Sequence, residues 1–120
     1  MQKMVGQISS DVIRVLGLDA DSGTPIYMGE SNIQHMMQRH PNDYIKYGDK
    51  IPDILNHPDY VGTNPSDGSI EYVKEFLIDG EYVKVAVRIS GTGKYYARSL
   101  YVLNPNRVRN FIAKGTLKRP

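Results

Sequence analysis

The dipeptide Asp79-Gly80 separates two runs in which apolar and polar side chains alternate, Ile70 to Ile78 and Tyr82 to Ser90. Asp-Gly between alternating runs is a strong signal for a tight hairpin turn, because such turns need positive φ angles that these residues tolerate. A third run, Tyr95 to Leu103, follows the loop Gly91 to Lys94. The sequence therefore predicts three antiparallel strands.

Further elements surround these strands in the chain. A short fourth strand is predicted before Gly29, and three helices are predicted from capping residues and from proline in a first-turn position. The segment that begins at Ser10 fits either a helix or a strand, since a capping serine precedes β-branched residues. The predicted strand is Ile26 to Met28. One predicted helix begins at Ser31, a second spans Ile51 to Leu55, and a third spans Asn106 to Ala113. The predicted loops are Pro41 to Lys50 and Asn56 to Ser69.

The 120 residues, of which 40% are hydrophobic and 23% charged, suit a single folded domain over residues 1–120, with its core in 26–113. The predicted class is α+β, a small antiparallel sheet of three to four strands with helices packed on one face. There is no cysteine, which excludes disulfides and thiolate metal sites. No apolar run reaches the length of a signal or membrane segment, so no membrane partner is expected.

Two of the three histidines, His35 and His40, lie in one predicted helix. Histidine titrates near neutral pH and can take or give a proton in catalysis. A spacing of five residues places the two rings roughly 140° apart on a straight helix. Either one of them is structural, or His40 lies beyond the helix end, which Pro41 favours. The spacing is also not the i, i+4 spacing of two metal ligands, and we expect neither a metal nor a cofactor.

The predicted strands carry a polar row that these histidines can approach. In the second strand Lys84 and Arg88 share the face opposite the valines, and Ser99 and Tyr101 share the corresponding face of the third strand. A four-residue loop would bring the rows together by pairing Ser90 with Tyr95, Ala86 with Ser99, and Lys84 with Tyr101. A three-residue loop would reverse the faces and separate them. The usual role of such a row is the solvent side of a sheet, and catalysis is the alternative.

Cationic side chains are also concentrated at the end of the chain, where five of them occur without an acid: Arg107, Arg109, Lys114, Lys118 and Arg119. Such a tail suits phosphate contacts, although a solvated helix face is the commoner explanation. The loop Gly91-Thr92-Gly93-Lys94 lacks the spacing and the following helix of a nucleotide phosphate loop. The candidate catalytic residues are His35, His40, Lys84, Arg88, Ser99 and Tyr101, and the candidate RNA-binding residues are Arg39, Lys94, Tyr95, Arg107 and Arg109.

Four short motifs extend this pattern: Ile33-Gln34-His35 to Arg39-His40-Pro41, Ile51-Pro52-Asp53-Ile54-Leu55, Pro58-Asp59-Tyr60-Val61, and Ser99-Leu100-Tyr101. Through them the chain, from about residue 26 to about 112, resembles the phage-encoded and polymorphic-toxin nucleases of the Barnase–EndoU–colicin–RelE-like class. The resemblance implies helices on one face of a small sheet and metal-independent cleavage of RNA on the other, often of tRNA. It maps the catalytic histidine to His35 or His40, basic residues to Lys84, Arg88 or Lys94, and a hydroxyl to Ser99 beside Tyr101.

The leading hypothesis is thus a toxin endoribonuclease that acts on RNA, with tRNA as the foremost candidate, in the cytoplasm of a host or target bacterium. The resemblance further implies an immunity or antitoxin protein, expected to be acidic. Two alternatives remain open. One is a non-catalytic module that binds RNA or protein, and the other is a phage structural or adaptor domain.

Overall fold

The computed structural model describes residues 2–120, which form one six-stranded mixed sheet and five α-helices. The strands are β1 Lys3–Ile8, β2 Thr24–Met28, β3 Tyr60–Thr63, β4 Ile70–Phe76, β5 Glu81–Ile89 and β6 Tyr95–Leu103. The helices are α1 Ser10–Leu16, α2 Glu30–Arg39, α3 Pro41–Tyr47, α4 Ile51–Asn56 and α5 Pro105–Ala113, with a 3₁₀ turn at Gly48–Lys50. The spatial order is β1-β2-β6-β5-β4-β3. The β2–β6 pair is parallel and every other pair is antiparallel.

The predicted α+β class is confirmed, but the predicted sheet of three to four strands is too small. The sequence pattern missed β1, which has Gly6 at an irregularity in its pairing with β2, and the four-residue β3. It also missed α3, which starts at Pro41 and was predicted to be a loop. The undecided segment is the helix α1, and α2 begins after Gly29, whose backbone N–H donates to Asn32 Oδ1 at 2.9 Å, rather than after a Ser31 cap.

One face of the sheet carries the main core. Val83, Val85 and Val87 of β5 are fully buried on this face, together with Tyr72 of β4 and Leu100 of β6. Side chains of α1, α2, α3 and α4 pack against them: Val12, Met36, Tyr47, Ile51, Ile54 and Leu55. We call this the covered face.

The opposite face is covered only at one end. There α5 and the C-terminal segment form a second core, in which Val73 and Leu103 of the sheet contact Val108 and Leu117. The prediction that all helices pack on one face is therefore wrong, because Val73 alternates onto the second face and requires its own apolar cover. The rest of this surface, which we call the open face, carries Lys84, Ala86 and Arg88 of β5 and Tyr96, Arg98, Ser99 and Tyr101 of β6.

The pairing of β5 with β6 decides which side chains lie on the open face. As predicted, Ala86 pairs with Ser99 and Lys84 with Tyr101. The predicted Ser90–Tyr95 pair is wrong, since Tyr95 pairs with Ile89. Ser90 N–H instead donates to the Lys94 carbonyl at 2.7 Å, so the loop has three residues.

A β-bulge at Arg98 reconciles the shorter loop with the predicted pairs. Val87 pairs with Ala97 and Ala86 pairs with Ser99, so Arg98 is the additional residue of β6. An additional residue reverses the alternation once, which compensates for the reversal that the three-residue loop produces. Tyr95 and Ala97 therefore lie on the covered face, and Ser99 and Tyr101 keep their predicted side.

The β4–β5 hairpin is fastened to α3 by ionic and aromatic contacts. Lys46 Nζ lies 2.6 Å from Glu81 Oε1, and the Tyr47 hydroxyl donates to the same oxygen at 2.7 Å. The Tyr47 ring also packs on Phe76, with centroids 4.8 Å apart. Hydrogen bonds from Lys46 and Tyr47 lower the pKa of Glu81, while burial and the Glu81 contact raise the pKa of Tyr47 to about 12.

The lowered pKa of Glu81 predicts a pH-dependent contribution to stability. Because the folded state favours the carboxylate, the contribution is full above the usual glutamate pKa of about 4.3 and disappears as the pH falls through the lower folded value. We expect Glu81→Gln to lower the melting temperature by a few degrees at pH 7, and the difference from wild type to shrink toward pH 3. An equal difference at both pH values would contradict this account.

Candidate functional site

The junction of α2 and α3 brings a histidine to the edge of the open face. His40 is the residue between the two helices, and its φ of −142° and ψ of 67° are not helical. The sequence predicts this position beyond the helix end, since proline disfavours helical geometry in the residue before it. Asp43 fixes the junction to the sheet, because its Oδ2 accepts the Val102 backbone N–H at 3.0 Å. The Val102 N–H lies on the edge of β6 that faces β2, but β2 does not extend this far, since it pairs with β6 at Tyr95 and Tyr96.

An aromatic and ionic cluster starts at this histidine. The His40 ring stacks on Tyr101, with centroids 4.9 Å apart and planes at 29°. Lys84 Nζ lies 4.7 Å from the centroid of the same Tyr101 ring. Lys84 Nζ also pairs with Glu71 Oε2 at 2.8 Å, and both of these side chains are only 12% exposed. We call His40, Tyr101, Lys84 and Glu71 the histidine cluster.

The ion pair in this cluster fixes a positive charge. Burial lowers the pKa of Lys84, but contacts with Glu71 and Tyr101 outweigh burial and raise the pKa above its usual value. Lys84 therefore stays protonated at neutral pH and is suited to stabilising negative charge rather than to exchanging protons. Ser99 lies near this charge on the open face, where it pairs with Ala86.

The structure separates several predicted site residues from the histidine cluster. His35 is exposed on α2, and within residues 2–120 no side-chain hydrogen bond, ion pair or ring contact involves it. Arg88 lies four residues from Lys84 along β5, about 13 Å at the usual strand rise. The predicted position of Tyr95 on the open face is wrong, because the three-residue loop pairs Tyr95 with Ile89 and turns this ring toward the core.

The other predicted RNA-binding residues are distributed around the open face. Arg39 lines a small cavity of about 230 Å³ with His40 and Asp43. Lys94 Nζ lies 5.3 Å from the centroid of the Tyr27 ring. On α5, which bounds the far end of the face, Arg107 lies over Phe111 and Arg109 donates to Asn106.

A cavity of about 490 Å³ lies where α2 begins. The chain segments around it are the start of α2, the end of β5, the bulge of β6 and the N-terminal Gln2. Its lining residues include Arg88, Arg98 and Tyr96. We call it the arginine cavity.

Sequence analysis missed three residues of these sites: Glu71, Tyr96 and Arg98. Glu71 is one of several polar residues in β4, and only the strand register shows that it faces Lys84. Tyr96 reaches the open face because the three-residue loop pairs it with Arg88, and Arg98 is the additional residue of the bulge. A signal for the bulge was present, since Ala97 and Leu100 are apolar at a spacing of three, which strict alternation does not allow.

Two further groups of observations concern metals and membranes. Within residues 2–120, no set of three or more histidine and carboxylate side chains is placed to hold a metal ion. Over the same residues, every helix is too short or too polar to cross a bilayer.

The fold and the site define a small α+β protein with a cationic, tyrosine-bearing sheet face that a histidine borders, a surface suited to a polyanion. A family model described as "phage-Barnase-EndoU-ColicinE5/D-RelE like nuclease3" matches residues 2–110. The chain belongs to this nuclease family, and the resemblance inferred from the sequence is confirmed. No curated protein and no solved structure gave a significant match.

The contact between Asp43 and β6 predicts a stability effect. Asp43→Ala removes the acceptor of a partly buried backbone N–H, and we expect a loss of about 1–3 kcal/mol in the free energy of unfolding. Asp43→Asn keeps an acceptor oxygen and should lose less. Chemical denaturation measures both, with Asp49→Ala, an exposed aspartate in the neighbouring 3₁₀ turn, as the control. Equal stability of Asp43→Ala and the control would contradict the role of this contact.

Proposed function

We propose that the protein is a metal-independent endoribonuclease and that the histidine cluster is its catalytic site. The observation that carries the proposal is the stacking of the exposed His40 ring on Tyr101, beside the protonated Lys84. A proton acceptor, a hydroxyl and a fixed cation are the elements that RNA transesterification needs. The nuclease family supports the reaction class.

The proposed reaction uses the 2′-hydroxyl of RNA as the nucleophile. Neutral His40 takes the proton of this hydroxyl while the 2′-oxygen forms a bond to phosphorus. The bond from phosphorus to the 5′-oxygen breaks, and the Tyr101 hydroxyl gives its proton to the leaving oxygen. Lys84 stabilises the charge that develops on the phosphate, and the Ser99 hydroxyl can donate to the same oxygens. The products are a 2′,3′-cyclic phosphate and a 5′-hydroxyl, and solvent returns the proton from His40 to Tyr101.

The biological setting that we propose follows the family. tRNA is the foremost substrate candidate, and a toxin of this kind, acting in bacterial cytoplasm, would require an immunity or antitoxin protein. An acidic partner would fit the cationic open face. The first experiment is incubation of the protein with bacterial tRNA and rRNA in EDTA, with analysis of the product ends. Cleavage that needs an added metal would overturn the mechanism.

The two neighbouring histidines provide a matched pair of variants. We expect His40→Ala to reduce the rate of RNA cleavage by about 10²–10⁴-fold, the usual contribution of a general base. His35→Ala should cleave like wild type, since this exposed side chain lies outside the cluster. Single-turnover rates on one RNA substrate measure both. Loss of activity in His35→Ala alone would show that the wrong histidine has been assigned.

Lys84 requires a paired substitution. Lys84→Ala alone leaves the Glu71 carboxylate poorly solvated and unpaired, which costs about 3–5 kcal/mol for a buried pair. The double variant Glu71→Gln, Lys84→Gln replaces the ion pair by neutral groups and should fold. We expect it to lose about 10²–10³-fold in cleavage rate because the charge on the phosphate is no longer stabilised. A folded double variant, checked by circular dichroism, that cleaves at the wild-type rate would contradict the role of Lys84.

A further inference from the structure

Two arginines, Arg88 and Arg98, line the arginine cavity, and neither forms an ion pair with a carboxylate among the described residues. Within residues 2–120, no carboxylate lies within 4.0 Å of Arg88 or Arg98. Glu30 lines the same cavity but does not pair with either arginine at that distance. Hydrogen bonds from Ser69 lower the pKa of Asp67, and the positive charge of Arg88 lowers it further, without a direct ion pair. Two arginines without ionic partners in one concavity have the donors that suit an anion with several oxygen atoms.

The backbone places both arginines in the cavity. Arg88 follows the alternation of β5 onto the open face, opposite Tyr96. Arg98 is the additional residue of the bulge, and a β-bulge redirects a side chain that regular pairing would place elsewhere. The bulge therefore adds a second cation to a position that already has one.

An aromatic surface adjoins the two cations. Tyr96 lines the cavity, and its ring lies 6.3 Å from the Tyr27 ring of β2. Tyrosine rings bind unpaired bases by stacking, whereas a free phosphate ion has nothing to stack. The combination therefore fits a nucleotide within a single strand better than an isolated anion.

The cavity lies on the same face as the histidine cluster. Lys84 and Arg88 are separated by about 13 Å along β5, and the side chains between them on this face, Ala86 and Ser99, are small. A single strand can therefore pass from one site to the other over a shallow surface. We propose that the arginine cavity binds a second phosphate of the same RNA strand, through Arg88 and Arg98, with the adjoining base stacked on Tyr96.

This inference rests on the proposed ribonuclease function and narrows its substrate to single-stranded RNA that spans both sites. The test uses a fluorescent single-stranded hexanucleotide with 2′-O-methyl groups, which lacks the nucleophile and is not cleaved. Fluorescence anisotropy measures its affinity for the wild type and for the variants Arg88→Ala, Arg98→Ala and Arg14→Ala. Arg14 is the control, because it is an exposed arginine of α1 that pairs with Asp11 and lies outside the arginine cavity.

We expect Arg88→Ala and Arg98→Ala each to weaken binding by about 10–100-fold, and to reduce the slope of log affinity against log salt by about 1. Arg14→Ala should bind like wild type. Tyr96→Leu should weaken binding while leaving the salt slope unchanged, since stacking involves no phosphate. Wild-type affinity in both the Arg88 and the Arg98 variants would overturn the proposal.

A parallel measurement separates this inference from the proposed function. Each variant is also tested for cleavage of the unmodified hexanucleotide and of a dinucleotide, which can occupy only the histidine cluster. We expect Arg98→Ala to slow cleavage of the hexanucleotide and to leave that of the dinucleotide unchanged. Equal effects on both substrates would overturn the second phosphate site. Absence of cleavage by wild type would overturn the ribonuclease function, while binding that depends on the arginines would still support the cavity as an RNA site.

Discussion

The pairing of β5 with β6 is the constraint on which the rest of the structure depends. This register places three valines of β5 and Leu100 of β6 in the main core and the polar side chains of both strands on the open face. A shift of the register by one residue would exchange the buried and the exposed side chains. The three-residue loop and the bulge at Arg98 each reverse the alternation, and their effects cancel. Tyr101 consequently faces Lys84 and His40, while Tyr95 faces the core. The same bulge places Arg98 beside Arg88.

Electrostatics then distinguishes two regions of the open face. At Lys84 the cation is paired with Glu71 and largely buried, which suits a group that must stabilise charge at one place. At Arg88 and Arg98 the cations have no carboxylate within ion-pairing distance among the described residues, which suits attraction of a polyanion. The helix α5 covers the end of the second face of the sheet at Val73, and the part that it leaves uncovered carries Lys84, Arg88 and Arg98.

Sequence reasoning predicted the elements whose signals are local. The Asp79-Gly80 turn lies between β4 and β5 as predicted, β6 has its predicted bounds, and Pro41 places His40 beyond the end of α2. It failed where a signal depends on distant partners. β3 is too short for a periodic pattern and pairs with β4 and with Lys118 near the C-terminus, and α5 covers the second face only because Val73 is apolar there. The resemblance to this class of nuclease rested on short motifs, and the match of the family model confirms the class.

The sequence by itself determined the α+β class, the three central strands and the types of side chain available for chemistry, because periodicity and turn residues act over a few neighbouring positions. Only the tertiary structure decided which of these side chains meet. His40 and Tyr101 are 61 residues apart in the chain and stack because Asp43 anchors the helix junction to β6. The pairing of Glu71 with Lys84 and the joint placement of Arg88 with Arg98 likewise depend on strand register and on a bulge, which contacts across the sheet fix.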